Sequence, residues 1–160
     1  MSTNSTVLLD DSMTFPNGLA FSPDYSKLYV SNSIREDPYI KVFDVTDSGA
    51  LRGGRTFFNM TDIVSKYCTP ASEHCGVPDG LKVDINGNVF ATGPGGVLVL
   101  SPAGELIGLF NLDRPVSNIV FGTDGRLYLT AKDLIVRVWI KTKPARFISK
   151  VPTPKKQGLW

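Results

Sequence analysis

The hydrophobic positions fall into short runs separated by turns, and pairs of runs repeat along the chain. The paired segments are residues 16–24 with 27–30, 78–84 with 88–91, and 116–122 with 126–129. The turns inside the second and third pairs carry Asn86-Gly87 and Asp124-Gly125. These dipeptides are strong hairpin signals because their residues tolerate positive φ. The pattern therefore predicts a series of β-hairpins.

Further apolar runs follow each pair and complete a larger unit. They lie at residues 40–45, 55–58, 97–100, 106–110 and 135–140, with a weaker run at 146–148. Four short strands per unit at a period of about 40 residues are typical of propeller blades. No segment shows a helical period, so we expect an all-β chain of about three β-propeller blades. A β-sandwich would explain the strands but not the matched starts of the repeats.

An arc of three blades does not close a ring, because propellers have about four to eight blades. Residues 6–9 have the pattern of the last strand of a preceding blade. Open arcs also leave sheet edges unprotected. We therefore expect a fragment, one half of a split protein, or a protomer whose ring is closed by a second chain or a second copy.

Charge divides the chain into a mildly acidic body and a basic tail. Residues 141–160 hold six lysines and arginines and no acid, which leaves 11 basic against 15 acidic residues elsewhere. An acidic body suits a cation site better than a nucleic-acid surface, and we expect the tail to be solvated. No run reaches the roughly 18 apolar residues that cross a bilayer. These features predict a soluble protein that binds neither nucleic acid nor membrane.

Polar residues stand at the same place in each repeat. Asn17, Asp79 and Ser117 each lie two residues before the apolar start of an innermost strand. In an antiparallel blade these positions share one end of the propeller and should converge on its axis. Oxygen donors that converge in this way suit a hard divalent cation. The alternative is that Asn-Gly and Asp-Gly serve only as turn residues.

The segments around these residues resemble the gluconolactonase/regucalcin (senescence marker protein) family of sugar-lactone hydrolases. The resemblance is carried by PNGLAFSPD at 16–24, PDGLKVD at 78–84, GGVLVLSPAG at 95–104 and SNIVFG at 117–122. It implies a six-bladed propeller that hydrolyses small-molecule sugar lactones with one divalent metal ion: Ca²⁺, Zn²⁺, Mn²⁺ or Mg²⁺. By the same resemblance Asn17 is a neutral metal ligand, and Asp79 is both an anionic ligand and the general base.

The resemblance also implies a domain organisation. Residues 1–140 would be the C-terminal half of a lactonase-type propeller, and residues 141–160 would be the last strand and a basic tail. The family's early glutamate ligand and the substrate contacts of its first half have no counterpart here, so we expect full activity to need that half. The alternative function is a non-catalytic propeller segment that binds partners or a cation.

A long connection from residue 59 to 77 leads into Asp79 and should cover the pocket mouth. It carries Glu73 and His74 as candidate lid or substrate contacts, although a plain surface loop explains them as well. Its Cys68 and Cys75 could be a disulfide or free thiols. The turn at 31–39 shares that face, where Ser31, Asn32 and Arg35 are either candidate contacts to sugar hydroxyls or solvated turn residues. Ser117 is a further candidate substrate contact.

The amino-terminal segment has no basic region followed by an apolar run, so it predicts no signal peptide. A disulfide between Cys68 and Cys75 and the sequons at Asn4 and Asn59 would instead fit an oxidising compartment. The compartment stays open at this stage.

Overall fold

The computed structural model describes residues 6–68, 75–112 and 114–145. These ranges contain eleven strands and one short helix. In chain order the elements are β1 Pro16–Phe21, β2 Lys27–Asn32, β3 Tyr39–Val45, β4 Leu51–Asn59, α1 Thr61–Tyr67, β5 Leu81–Val83, β6 Val89–Gly93, β7 Gly96–Leu100, β8 Leu106–Asn111, β9 Asn118–Phe121, β10 Arg126–Ala131 and β11 Leu134–Trp139.

The strands form three antiparallel sheets in simple chain order. The first blade is β1-β2-β3-β4, the second is β5-β6-β7-β8, and the third is β9-β10-β11. The predicted hairpin turns are present, and Gly87 and Gly125 adopt φ of 82° and 77° there. Each blade is a meander of neighbouring strands. The prediction of about three propeller-type blades is therefore confirmed.

The innermost strands lie side by side, β1 next to β5 and β5 next to β9. Apolar side chains fill the space between consecutive blades. Ile40 and Val42 of the first blade pack with Leu98 of the second, while Val97 of the second packs with Leu127 of the third. All five side chains are at most 1% exposed. The blades are held together by these two apolar layers, because burying such surface stabilises by about 25 cal/mol per Å².

Helix α1 contradicts the expectation of a chain without helices. Its Ile63 is buried, and Tyr67 one turn later packs on the same apolar layer. These two residues are spaced i and i+4, as on one face of a helix. The helix has seven residues, which is shorter than the window of about 11 to 18 residues in which helical periodicity can be recognised.

Residues 6–9 do not form the predicted strand. The structure assigns them no regular secondary structure, and Val7 and Leu8 are 69% and 75% exposed. A strand needs a hydrogen-bonding neighbour, and none of the described strands pairs with this segment. The fourth strand of the third blade, predicted at 146–148, lies outside the described residues.

Several large apolar side chains face solvent on the third blade. Ile135 and Trp139 of β11 are 84% and 70% exposed, and Val120 of β9 is 55% exposed. The facing apolar surfaces of the first and second blades cover each other. This face of the third blade has no covering element among the described residues.

The single helix in the described ranges is too short to span a bilayer.

Candidate functional site

The three repeat starts meet at one end of the innermost strands. Asn17 is the second residue of β1, Asp79 lies two residues before β5, and Ser117 immediately precedes β9. The backbone N–H of Gly80 donates a 2.9 Å hydrogen bond to the carbonyl of Ser117. The start of the second blade is thus joined directly to the start of the third.

The glycines that follow Asn17 and Asp79 permit this close approach. A Cβ on Gly18 would overlap the carbonyl oxygen of Asp79, and a Cβ on Gly80 would overlap the side-chain oxygen of Asn118. Neither glycine has a positive φ. The Asn-Gly and Asp-Gly pairs therefore do not serve as left-handed turns here. Glycine is needed because one backbone touches another.

A row of hydroxyl side chains supports the three starts. Ser31, Thr92 and Thr130, here called the hydroxyl row, occupy the same position on β2, β6 and β10. The Thr92 hydroxyl accepts a 3.2 Å hydrogen bond from the N–H of Asp79. The hydroxyls of Ser117 and Thr130 are 2.9 Å apart and share a hydrogen bond. Hydrogen bonds from the hydroxyl row hold the repeat starts that carry the candidate ligands in position.

The sequence analysis missed Thr92 and Thr130, and it gave Ser31 as a candidate sugar contact or a solvated turn residue. Neither interpretation holds, because Ser31 is 1% exposed and donates to the backbone. Asn32 is also buried, and its amide is bonded to the N–H of Phe15 and the carbonyl of Asp37, each at 3.0 Å. The signal that could have found the row is a serine or threonine at the second-to-last position of each second strand.

Asp79 carries an unpaired carboxylate. Among the described residues no donor bonds to its side chain and no cation forms an ion pair with it. Burial raises the pKa of Asp79 above its usual 3.8, since a charged carboxylate is poorly solvated where water is partly excluded. A carboxylate in this condition gains from a cation.

Asn17 is exposed and only loosely held. Its Nδ2 donates to the hydroxyl of Ser33 over 3.4 Å, which leaves the side-chain oxygen without a donor among the described residues. Asn17 and Asp79 thus present two free oxygens at the adjoining starts of neighbouring blades. These are the donor types that hard divalent cations take.

Asp79 and Ser117 line one cleft of about 170 Å³. Its other lining residues are Gly76, Val77, Pro115, Val116 and Lys132. Lys132 was also missed from the sequence. It lies in the turn between β10 and β11, where the residues 131–134 contain no glycine that would mark a special backbone position.

The disulfide connection lies beside this end of the blades. Cys68 and Cys75 are bonded, with their Cα atoms 5.0 Å apart, so the disulfide alternative holds and not the free thiols. Arg35 donates a 3.1 Å hydrogen bond from Nη2 to the carbonyl of Cys75. Arg35 therefore anchors the returning end of the loop. Glu73 and His74 lie outside the described residues.

The described residues contain no group of three or more His, Cys, Asp and Glu side chains that could hold a metal by themselves. Asn17 and Asp79, with the Ser117 hydroxyl in the same cleft as Asp79, can provide part of a shell of oxygens. Ca²⁺ takes about six to eight oxygens and Mg²⁺ about six. The donor set fits such an ion if water or further groups supply the remaining positions.

Residues 1–133 match the family described as the SMP-30/Gluconolactonase/LRE-like region. The chain belongs to this family. The match includes Asn17, Asp79, Ser117 and the turn that holds Lys132. The family resemblance inferred from the repeat starts is confirmed.

Relatives within the SMP-30/gluconolactonase family agree with this assignment. A gluconolactonase from Zymomonas mobilis is 41% identical over 138 residues, which are 84% of this chain and 37% of that protein. A solved gluconolactonase from Xanthomonas campestris superposes with a TM-score of 0.64 at 32% identity, covering 79% of this chain and 38% of that one. A regucalcin from Agrobacterium tumefaciens shares the fold, with a TM-score of 0.66 at 19% identity over 87% of this chain and 50% of its own. The chain thus spans about a third of the Zymomonas relative and 38% to 50% of these solved structures.

Proposed function

We propose that this chain carries the metal-binding and general-base part of a sugar-lactone hydrolase. The main support for this proposal is that the side chains of Asn17 and Asp79 have oxygens without hydrogen-bond donors among the described residues, at the adjoining starts of two blades. The named relatives from Zymomonas and Xanthomonas are gluconolactonases, which supports a sugar lactone as the substrate. Asn17 would be the neutral ligand and Asp79 the anionic ligand of one divalent ion.

A bound divalent ion would polarise the lactone carbonyl and stabilise negative charge on its oxygen. Ca²⁺, Zn²⁺, Mn²⁺ and Mg²⁺ are all candidates, because carboxylate and amide oxygens accept each of them. The role of the protein is to hold the two oxygens in place. Gly18, Gly80 and the hydroxyl row perform that task through the backbone.

Asp79 would accept the proton of the attacking water. The water oxygen bonds to the lactone carbonyl carbon, the ring C–O bond breaks, and the ring oxygen leaves as a hydroxyl after taking up a proton. Burial raises the pKa of Asp79 in the metal-free chain, and a bound divalent ion would keep the carboxylate ionised and able to accept the proton. Ser117 lines the same cleft and can orient a substrate hydroxyl.

We further propose that residues 1–140 supply half of a six-bladed propeller and that the other half comes from a second chain or a second copy. The exposed apolar face of the third blade, with Val120, Ile135 and Trp139, is the surface this arrangement would cover. Exposed apolar patches of this kind commonly mark interfaces. Substrate-contacting groups of the partner half would complete the pocket.

The test is hydrolysis of D-glucono-δ-lactone by the chain in the presence of Ca²⁺, Zn²⁺ or Mn²⁺. We expect weak turnover, because full activity needs the other half of the propeller. A chelator should abolish this turnover, and Asp79→Asn should lower it at least about a hundredfold. The matched control is Asp44→Asn, because Asp44 is an exposed carboxylate on β3. Metal binding without any turnover would overturn catalysis and favour the alternative, a cation-binding propeller segment.

A further inference from the structure

Lys132 is the one cleft residue that the proposed chemistry does not use. It lies in the two-residue turn between the paired residues Ala131 and Leu134. It also lines the cleft that Asp79 and Ser117 border. A lysine thus belongs to the same cleft as the carboxylate to which we assign proton transfer.

The backbone of Lys132 is strained. Its φ is +55°, in a region that is unfavourable for residues other than glycine. In the corresponding turn of the second blade, between Gly93 and Gly96, the equivalent position is Pro94 and the positive φ belongs to the next residue, Gly95. A glycine would accept the φ of Lys132 without strain, yet the third blade has a lysine there.

The strain at Lys132 has no packing explanation among the described residues. The other non-glycine residue with positive φ in these ranges is Tyr25, whose ring packs on Phe21 at 5.5 Å. Lys132 is exposed and makes no hydrogen bond or ion pair with the described part of the chain. A two-residue hairpin turn calls for a positive φ, but no contact of the Lys132 side chain with the described residues accounts for a lysine at this position.

The neighbouring charges leave the ammonium of Lys132 available. Asp133 is adjacent in sequence, but its carboxylate is bound by Arg114 at 2.8 Å. The cleft walls beside Lys132 include Val77, Pro115 and Val116, which are apolar and reduce solvent screening. An anionic group bound in the cleft would therefore find a neighbouring lysine that forms no ion pair with the described residues.

We propose that Lys132 is a substrate-selecting residue whose ammonium binds a carboxylate carried by a sugar lactone or by its hydrolysis product. This inference rests on the proposed lactone hydrolysis for its substrate class. A lysine is suited to the task because it presents a compact charge on a flexible stem and can follow a ligand group. The site would favour sugar-acid lactones that carry a free carboxylate over neutral lactones.

The test compares two lactones of different charge. D-Glucaro-γ-lactone carries a free carboxylate and D-glucono-δ-lactone is neutral. In Lys132→Gln we expect kcat/KM for the charged lactone to fall about tenfold, with the neutral lactone changed less than about twofold. Lys132→Arg should retain most of the preference. Equal losses on both lactones, or no loss on either, would overturn the inference.

A binding measurement separates this inference from the proposed reaction. Calorimetric titration with D-glucarate should show weaker binding to Lys132→Gln than to wild type by about tenfold, and D-glucitol should show no such difference. Glucarate binding that depends on Lys132 in a chain with no turnover would refute hydrolysis and leave the anion site standing. Glucarate binding that is absent, or unaffected by the substitution, would refute the anion site even if hydrolysis occurs.

Lys132→Gly provides a second, strain-specific readout. We expect its midpoint of unfolding to lie at a higher denaturant concentration than that of wild type, since glycine accepts a φ of +55° without steric strain. Like Lys132→Gln, this variant should lose the preference for the charged lactone over the neutral one. A glycine variant that is destabilised would show that the lysine has a structural role in the turn.

Discussion

The hydroxyl of Ser31 donates a hydrogen bond to the carbonyl oxygen of Asp79 over 2.7 Å. The two residues are 48 positions apart and belong to different blades. The same hydroxyl lies 3.3 Å from the carbonyl of Gly18, so a single buried side chain ties the starts of both blades together. This contact places Asp79 relative to the residue after Asn17, and it explains how a two-blade site is built without a side-chain ion pair.

Ser31→Ala should therefore weaken the junction of the first and second blades. Removing the donor leaves the buried carbonyl of Asp79 with one hydrogen bond fewer, which costs about 1 to 3 kcal/mol. Chemical denaturation measures the effect. Ser48→Ala, at an exposed turn where Ser48 contacts Thr46, is the control and should change stability by less than about 0.5 kcal/mol. Equal effects of the two substitutions would contradict the bridging role.

Gly18→Ala tests the close approach of β1 to the start of β5. The added Cβ would overlap the backbone carbonyl of Asp79, and a backbone atom cannot move aside as a side chain can. We expect a loss of about 1 to 3 kcal/mol in the free energy of unfolding and weaker binding of divalent ions. In the control, Gly108→Ala on β8, the new Cβ would lie 3.6 Å from Val99, which is ordinary contact. If Gly18→Ala were as stable as Gly108→Ala, the close contact between the backbone at Gly18 and the carbonyl of Asp79 would be refuted.

Much of this arrangement follows from the sequence because the repeats are short and local. Asn86-Gly87 and Asp124-Gly125 fix hairpins by their own turn chemistry, and the alternation of apolar runs fixes the strands. The positions of Asn17 and Asp79 at equivalent repeat starts follow from the same alignment. Local signals thus predicted the blades and the two candidate ligands.

The remaining features depend on contacts between blades, which the local pattern does not contain. The pairing of Ser31 with Asp79 depends on how neighbouring blades dock, and so does the need for glycine at Gly18. The strain at Lys132 is a backbone property that its residue type does not reveal. Helix α1 was missed because its two buried positions, Ile63 and Tyr67, are too few to establish a period.

The disulfide should stabilise the connection that enters the site. Cys68 and Cys75 close a loop across a sequence separation of seven. The bond lowers the entropy of the unfolded chain and thereby stabilises the folded protein by roughly 2 to 3 kcal/mol. We expect reduction, or the double substitution Cys68→Ser with Cys75→Ser, to lower stability by up to this amount. Mass spectrometry of alkylated protein reports the bond directly. Quantitative alkylation of both cysteines without reductant would contradict the pairing.

The burial of Asp79 predicts a particular pH dependence of stability. Because the pKa of Asp79 is raised above its usual 3.8 in the folded protein, folding favours the protonated form. The stabilising contribution of this group is complete below that value and is lost as pH rises through the folded-state pKa. In metal-free buffer, the advantage of Asp79→Asn over wild type in free energy of unfolding should grow from acid toward neutral pH. A difference that is constant across this range would contradict the burial effect.

The binding of Mn²⁺ to the purified chain, followed by electron paramagnetic resonance, tests the candidate site most directly. Asp79→Asn and Asn17→Ala should each weaken the binding at least about tenfold, because the first removes the negative charge of one ligand and the second removes the amide oxygen of the other. Asp44→Asn, which alters an exposed carboxylate on β3, should bind as wild type does. Equal Mn²⁺ affinity in wild type and Asp79→Asn would contradict the assignment of Asn17 and Asp79 as a metal site.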